Sequence, residues 1–323
     1  MKDVFNNKIV LITGGTGSFG KKFVEIVLKK YKPKKLIIFS RDEMKQYEMS
    51  KKFNQKNVRY FIGDIRDSAR LHRAFNGVDI VIHAAAIKIV PTAEYNPFEA
   101  VKTNVIGAEN IINVAIDNGV KLVMALSTDK AANPINLYGA TKLCAEKMFI
   151  AANNYSPHGT RFSVVRYGNV FGSRGSIAPH FNECKKKGVI PITDKRMTRF
   201  WITLEQGVKF VISAIEQMHG GEIFVPKIPS MKIIDFARTI APNCKFKIIG
   251  IRPGEKLHEV LVSVDDARYT FEKSDRYIIC PDVLFSKRQK TSGKKLSEIF
   301  GGYTSNTNDK WLSSKDLKKL IKE

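Results

Sequence analysis

Residues 9–20 read IVLITGGTGSFG. The apolar run over 8–13 passes directly into Gly14, Gly17 and Gly20, spaced as GxxGxxG at the opening of a helix-like stretch. Strand, glycine turn and helix in that order suit a dinucleotide: the glycines allow a tight turn and close backbone approach, while amides at the helix N-terminus receive a pyrophosphate. Thr16, Ser18 and Phe19 belong to the same turn and are expected to line the same ligand.

Outward from this unit, apolar runs recur at 35–39, 58–62, 79–82, 121–126 and 162–166, with amphipathic segments between them. Near-continuous apolar strands joined by helices predict a parallel sheet covered on both faces, because each parallel connection must be long enough to hold a helix. The expected fold is therefore α/β, a doubly wound parallel sheet. Beyond residue 170 the alternation fades into Pro- and Gly-bearing loops with shorter elements near 204–218, 233–240 and 314–321. The expected organisation is a dinucleotide-binding domain over 1–169 and a mainly substrate-binding region over 170–323, some of which returns to the sheet.

The chain has 323 residues, 43% hydrophobic and 26% charged, enough apolar material for a substantial core and unlike a disordered composition. No apolar run approaches the ~20 residues of a membrane-spanning helix. MKDVFNNK leads straight into the first strand without a secretory signal pattern, so the expected location is cytoplasmic. Cys144, Cys184, Cys244 and Cys280 are far apart and contain no CxxC pair, so neither a metal site nor a disulfide framework is expected. The net charge of +23 raises nucleic acid as a partner. Its lysines, including Lys29-Lys30, Lys34-Lys35 and Lys185–Lys187, are scattered, and no nucleic-acid motif accompanies them. A basic nucleic-acid-binding protein is therefore the disfavoured, non-enzymatic alternative.

The second strand ends in Ser40-Arg41-Asp42, about twenty residues past the glycine turn, where an acidic residue ordinarily takes the ribose of NAD. Arg41 comes first, and a guanidinium suits a phosphate better than a diol; with Ser40 and Lys45 as further donors this favours NADP. Asp42 keeps NAD open. Asp64 and Ile65 after the third strand, and Ala84, Ala85 and Ala86 after the fourth, fall on loops that adenine and ribose would pass.

The fifth strand runs into Ser127-Thr128-Asp129-Lys130, followed by Tyr138-Gly-Ala-Thr-Lys142. Tyr and Lys four apart share a helix face. There Lys142 could hold a ribose and favour a Tyr138 phenolate that takes a hydroxyl proton during hydride transfer, with Thr128 bonded to the same substrate oxygen.

On these residues the chain resembles the extended short-chain dehydrogenase/reductases, built on the Rossmann fold, and within them the inverting UDP-N-acetylglucosamine 4,6-dehydratases. The resemblance rests on TGGTGSFG, SRDE (40–43), GDIRD (63–67), HAAAIK (83–88), STDKAANPINLYGATK (127–142), RYGNVFGSRGS (166–176), PITDKRMTRFWIT (191–203) and RPGEKLHE (252–259). Membrane-anchored, non-inverting relatives carry Met where this chain has Tyr138. The resemblance implies C4 oxidation of the sugar, removal of the C5 proton by Lys130, protonation of the C6 hydroxyl by Asp129, and hydride return to C6 with inversion at C5. Dehydratases that retain C5 carry Asp-Glu where this chain has Asp129-Lys130. A lysine base must be neutral, so the Lys130 pKa is expected to be lowered by burial or by the positive charge of Lys142 and the oxidised nicotinamide. The resemblance also assigns Lys88 to the sugar region, Asn169 and Arg174 to the sugar nucleotide, Thr193 to the nucleotide pocket and Arg252 to phosphate. It implies a homo-oligomer, often a hexamer in relatives, and a first step of pseudaminic acid synthesis for surface or flagellar glycans. The segment YTSNTNDKWL (303–312) resembles the family's terminal segment without an assigned role. The competing enzymatic reading is a UDP-sugar C4 epimerase, which needs Thr128, Tyr138 and Lys142 but not the neighbouring acid and base.

Overall fold

A computed structural model describes residues 3–174, 181, 188–280, 292–297 and 300–322. Cys184 and Lys185–Lys187 lie outside these residues. The six expected strands form as β1 (Ile9–Thr13), β2 (Lys35–Ser40), β3 (Val58–Ile62), β4 (Ile80–His83), β5 (Leu122–Thr128) and β6 (Arg161–Tyr167). They lie in the order β3-β2-β1-β4-β5-β6, all parallel. Helices α1 (Ser18–Lys30), α2 (Glu43–Lys52), α3 (Ser68–Phe75), α4 (Val90–Tyr95), α5 (Pro97–Val101), α6 (Gly107–Asp117) and α7 (Leu137–Ala151) are part of the connections. Val10, Leu11 and Ile12 are fully buried, as a strand covered on both faces must be.

The chain runs outward from β1 through β2 to β3 and then returns to β1's other side as β4. This reversal opens a crevice at the C-terminal ends of β1 and β4, the position at which open α/β sheets take ligands. Helix α1 covers the sheet through Phe23, Val24 and Val27, and its basic last turn, Lys29 and Lys30, suits the negative end of the helix dipole.

After residue 170 the chain serves two structures. Ile223–Pro226 extends the main sheet as a parallel neighbour of β6, and Arg276–Ile279, Thr270–Glu272 and Lys294–Lys295 complete ten strands through antiparallel pairs. The remainder builds a smaller core in which Trp201 stacks between Phe171 at 4.6 Å and Phe236 at 4.4 Å, packed with Ile190, Ile192 and Ile233. Among the described residues no helix is long and apolar enough to cross a membrane.

Candidate active site

One cleft of about 880 Å³ lies between the sheet's C-terminal edge and the smaller core. At its dinucleotide end, Gly14 has φ +64° and its missing Cβ would stand 2.9 Å from the Ala85 nitrogen. A Cβ on Gly20 would come within 2.3 Å of the Gly15 carbonyl. Only glycine lets the turn press against the β4 loop and lets α1 start so close to β1. Gly17 caps α1 without a side-chain hydrogen bond, leaving the first amides for a ligand. The turn therefore fits a dinucleotide pyrophosphate. Thr16, Ser18, Phe19, Ile65, Ala84, Ala85 and Ala86 line the same end.

At the β2 end, Asp42 caps α2 by accepting from the Lys45 amide at 2.9 Å and is also ion-paired with the Lys45 ammonium. These bonds hold its carboxyl below the ordinary range. Arg41 remains exposed with a 3.4 Å contact to Asp64, whose nearer partner is Arg66 at 2.7 Å. Ser40 is buried and accepts from the Gln46 amide at 3.0 Å.

The chemical end is built where β5 meets α7 (Leu137–Ala151). Asn136 caps α7 by accepting from the Gly139 amide at 2.8 Å and donates to the Gly254 carbonyl at 2.8 Å. Gly139 presses against the loop so closely that a Cβ would meet the Lys130 carbonyl at 2.2 Å. That contact brings Tyr138 to the residues ending β5. Burial pushes the Tyr138 phenol up to about 12, opposed by the charge of Lys130 and a hydrogen bond with Thr128. Lys130 is thus a cation favouring its phenolate, in addition to the Lys142 that the sequence suggested.

Lys142, one turn further along α7, is buried, and desolvation pushes its ammonium down to about 8 with only Glu146 opposing. Glu146 gives both oxygens to buried Arg166, at 3.1 and 2.7 Å, so its charge is already engaged. Arg166 also donates to the Leu261 carbonyl at 2.9 Å and to Asp266 at 3.1 Å. Beside Lys142, His83 is buried against Thr13 at 2.9 Å and pushed down to about 3 by burial and then by Lys142, so it is neutral.

Thr128 donates to Asp129 Oδ1 at 3.0 Å and accepts from the Lys130 amide at 3.3 Å. Asp129 is 1% exposed; burial and then Glu259 raise its carboxyl against the pull of Lys130. Lys130 Nζ donates to Asp129 Oδ1 at 3.0 Å and lies 3.2 Å from Glu259 Oε1. Here the structure corrects the sequence reading. Burial alone would lower the Lys130 ammonium, but Asp129 and Glu259 more than offset it and hold the group above the ordinary lysine range. The reading lacked the second carboxylate. Glu259 is itself buried, 3.5 Å from Arg199 Nε, and those two cations keep it ionised against its own desolvation.

Of the residues expected to meet a sugar nucleotide, Lys88, Asn169, Arg174, Thr193 and Arg252 all line this cleft. Arg252 is largely exposed, 3.5 Å from Glu255, while Thr193 is buried. The cleft thus gathers every expected site residue. The sequence reading missed Glu259 and Arg199, although both fall in blocks it quoted. A charged residue inside the apolar run Met197–Ile202, and another immediately before Val260–Val262, were the available signals.

The sequence profile of the family described as "Polysaccharide biosynthesis protein" matches residues 10–281. A Campylobacter jejuni relative named UDP-N-acetylglucosamine 4,6-dehydratase (inverting) is 55% identical, with 98% of each chain covered. A Rickettsia conorii relative named UDP-glucose 4-epimerase is 41% identical, over 98% of this chain and 96% of that one. The X-ray structure of Pen from Bacillus thuringiensis superposes with a TM-score of 0.90 at 40% identity, covering 98% of both chains. With this match along nearly its whole length and the doubly wound sheet described above, the chain belongs to the polysaccharide biosynthesis protein family, among the extended short-chain dehydrogenase/reductases.

Proposed function

We propose that this protein removes water from UDP-N-acetylglucosamine across C5 and C6 and inverts C5, giving UDP-2-acetamido-2,6-dideoxy-β-L-arabino-hex-4-ulose. The observation that carries this reading is the contact between buried Asp129 and partly buried Lys130, 3.0 Å apart, in the cleft that also holds the dinucleotide turn. Gly14–Gly20 and Lys142 would hold a nicotinamide dinucleotide, which would supply the hydride acceptor for C4 and the hydride donor for C6. Tyr138 takes the C4 hydroxyl proton while Thr128 hydrogen-bonds the same oxygen, and the resulting ketone acidifies C5–H.

The raised Lys130 pKa is compatible with a basic role because the required state is a tautomer of the ion pair. Moving one proton from Nζ to Oδ1 along their hydrogen bond gives a neutral amine beside a carboxylic acid, with no proton taken from solvent. Burial disfavours both charges of the pair, which makes that tautomer accessible. Lys130 then receives the C5 proton, and Asp129 protonates the departing C6 oxygen.

Lys88, Asn169, Arg174 and Thr193 surround sugar and nucleotide in this reading, and the exposed fork of Arg252 binds the diphosphate. Residues 170–323 mainly supply that half. NADP is the favoured dinucleotide, since Asp42 is committed to its helix cap and Lys45 while Arg41 remains exposed for a 2′-phosphate. The protein would act as a cytoplasmic, NADP-recycling hydro-lyase and a homo-oligomer at the first step of pseudaminic acid synthesis.

An NMR time course with UDP-N-acetylglucosamine in deuterated water tests the reading: the expected product has lost water and carries solvent deuterium at C5. The C4-epimerase alternative has in its favour the similarity to the Rickettsia conorii protein named UDP-glucose 4-epimerase. A product of unchanged mass, epimeric at C4, would replace the first reading with the second.

A further inference from the structure

Glu259 comes to the Lys130 ammonium from far along the chain, and its position is fixed from both sides. Its amide donates to Ser305 Oγ at 2.9 Å and its carbonyl accepts from the Ser305 amide at 2.8 Å. Ser305 Oγ also contacts Thr198 Oγ1 at 2.6 Å. The following strand, Val260–Val262, pairs with Tyr303–Thr304. The terminal segment beginning Tyr303-Thr304-Ser305 therefore anchors a carboxylate against the residues ending β5. Arg199, with its other guanidinium nitrogens on the carbonyls of Thr198, Leu257 and Lys256, faces Glu259 from the opposite side. Lys256 completes the charged surroundings by donating to the Ala132 carbonyl at 2.5 Å. Glu259 Oε2 is buried with no hydrogen-bond partner among the described residues, so the carboxylate is oriented by Lys130 and Arg199 through Oε1 alone.

We propose that Glu259 is a positioning residue for the elimination: held by Ser305 and Arg199, it aims the Lys130 amine and stabilises the ammonium that forms as the C5 proton arrives. This rests on the dehydratase reading. In the step, the C5–H bond breaks and its proton goes to Lys130 Nζ. The electron pair forms the C5–C6 double bond as the C6–O bond breaks, and that oxygen leaves as water with the Asp129 proton. One positive charge appears on Nζ and one negative charge on Asp129. Glu259 is the fixed anion 3.2 Å from that new charge, as a buried carboxylate serves the imidazolium of a hydrolase triad. It acts through its contact with Lys130 and its charge on Asp129, so its influence falls on the elimination. Oxidation at C4 proceeds through Thr128 and Tyr138 and does not need it.

The test compares the purified holoenzyme with E259Q and E259D, mixing each with UDP-N-acetylglucosamine and with the same substrate deuterated at C5. Absorbance at ~340 nm follows the reduced nicotinamide dinucleotide, and NMR follows water loss. For E259Q the expected result is a ~100-fold fall in kcat, with KM within about two-fold. Reduced dinucleotide should accumulate before product, and the C5 isotope effect should exceed the wild-type value. E259D should recover part of the loss, because it keeps the charge at a longer distance. Should E259Q not fold, Ser305→Ala must show the same accumulation and larger isotope effect to a smaller degree. Wild-type kcat in E259Q, an equal slowing of C4 oxidation and water loss, or no recovery in E259D would each overturn the proposal. Wild-type protein that interconverts C4 epimers without releasing water would instead overturn the reading beneath it.

Discussion

Two lysines, one partly buried in the loop that ends β5 and one fully buried on α7, meet opposite fates. Lys130 lies between Asp129 and Glu259 and stays an ammonium well above ordinary pH, whereas Lys142 is pushed down to about 8. Burial acts on both in the same direction. The difference lies in the carboxylates available to each. Those beside Lys130 face it directly, while the nearest to Lys142, Glu146, is held bidentately by Arg166. One site thus stores a proton beside an acid, and the other keeps a cation whose charge is not neutralised within the protein, as a ligand-holding group requires.

The sharpest break in this comparison is K130M. It should suppress water loss by ~1,000-fold while C4 oxidation, slowed by loss of the cation that favours the Tyr138 phenolate, still occurs, seen by NMR of the product and by build-up of reduced dinucleotide. Turnover near the wild-type rate would remove Lys130 from the chemistry. Next in size, R166M strands the buried Glu146 carboxylate and should destabilise the fold by ~3–5 kcal/mol, measured by urea unfolding. E146Q in the same chain should return part of that loss, which it cannot do if the two act independently.

K142M carries the reverse sign. Lowering a lysine from 10.5 to about 8 corresponds to ~3 kcal/mol, a cost present in full below pH 8. Between pH 8 and 10.5 the native state has released a proton that the unfolded chain still holds, so wild-type stability rises across that window. K142M should therefore be inactive yet more stable than wild type at pH 7, with the advantage shrinking as pH rises, as thermal unfolding at several pH values would reveal. Wild-type activity should fall above pH 8 as the Lys142 charge is lost. The smallest effect concerns the cleft's far end: R41A should weaken NADP binding by ~10-fold, or about 1.4 kcal/mol, and leave NAD unchanged by titration calorimetry. Equal loss for both dinucleotides would end the preference for NADP.

Much of this architecture is written locally. The glycine spacing at 14, 17 and 20, the apolar strand runs and the four-residue step from Tyr138 to Lys142 are periodic features of contiguous chain, and β1 to β6 form within a residue or two of where the runs place them. The charge state of Lys130 was not legible in the same way. Asp129 is its neighbour in sequence, but Glu259 is 129 positions away and reaches it only because Ser305 pins the start of a strand beside β5's end. Likewise the pairing of Arg166 with Glu146, which leaves Lys142 without a counter-ion, needs β6 packed beneath α7.

The sequence by itself determined which side chains have the chemistry for this site, because backbone periodicity and glycine placement are local constraints. Only the tertiary structure decided their protonation, because Coulomb energies and desolvation depend on distances across the folded chain that no spacing along it encodes.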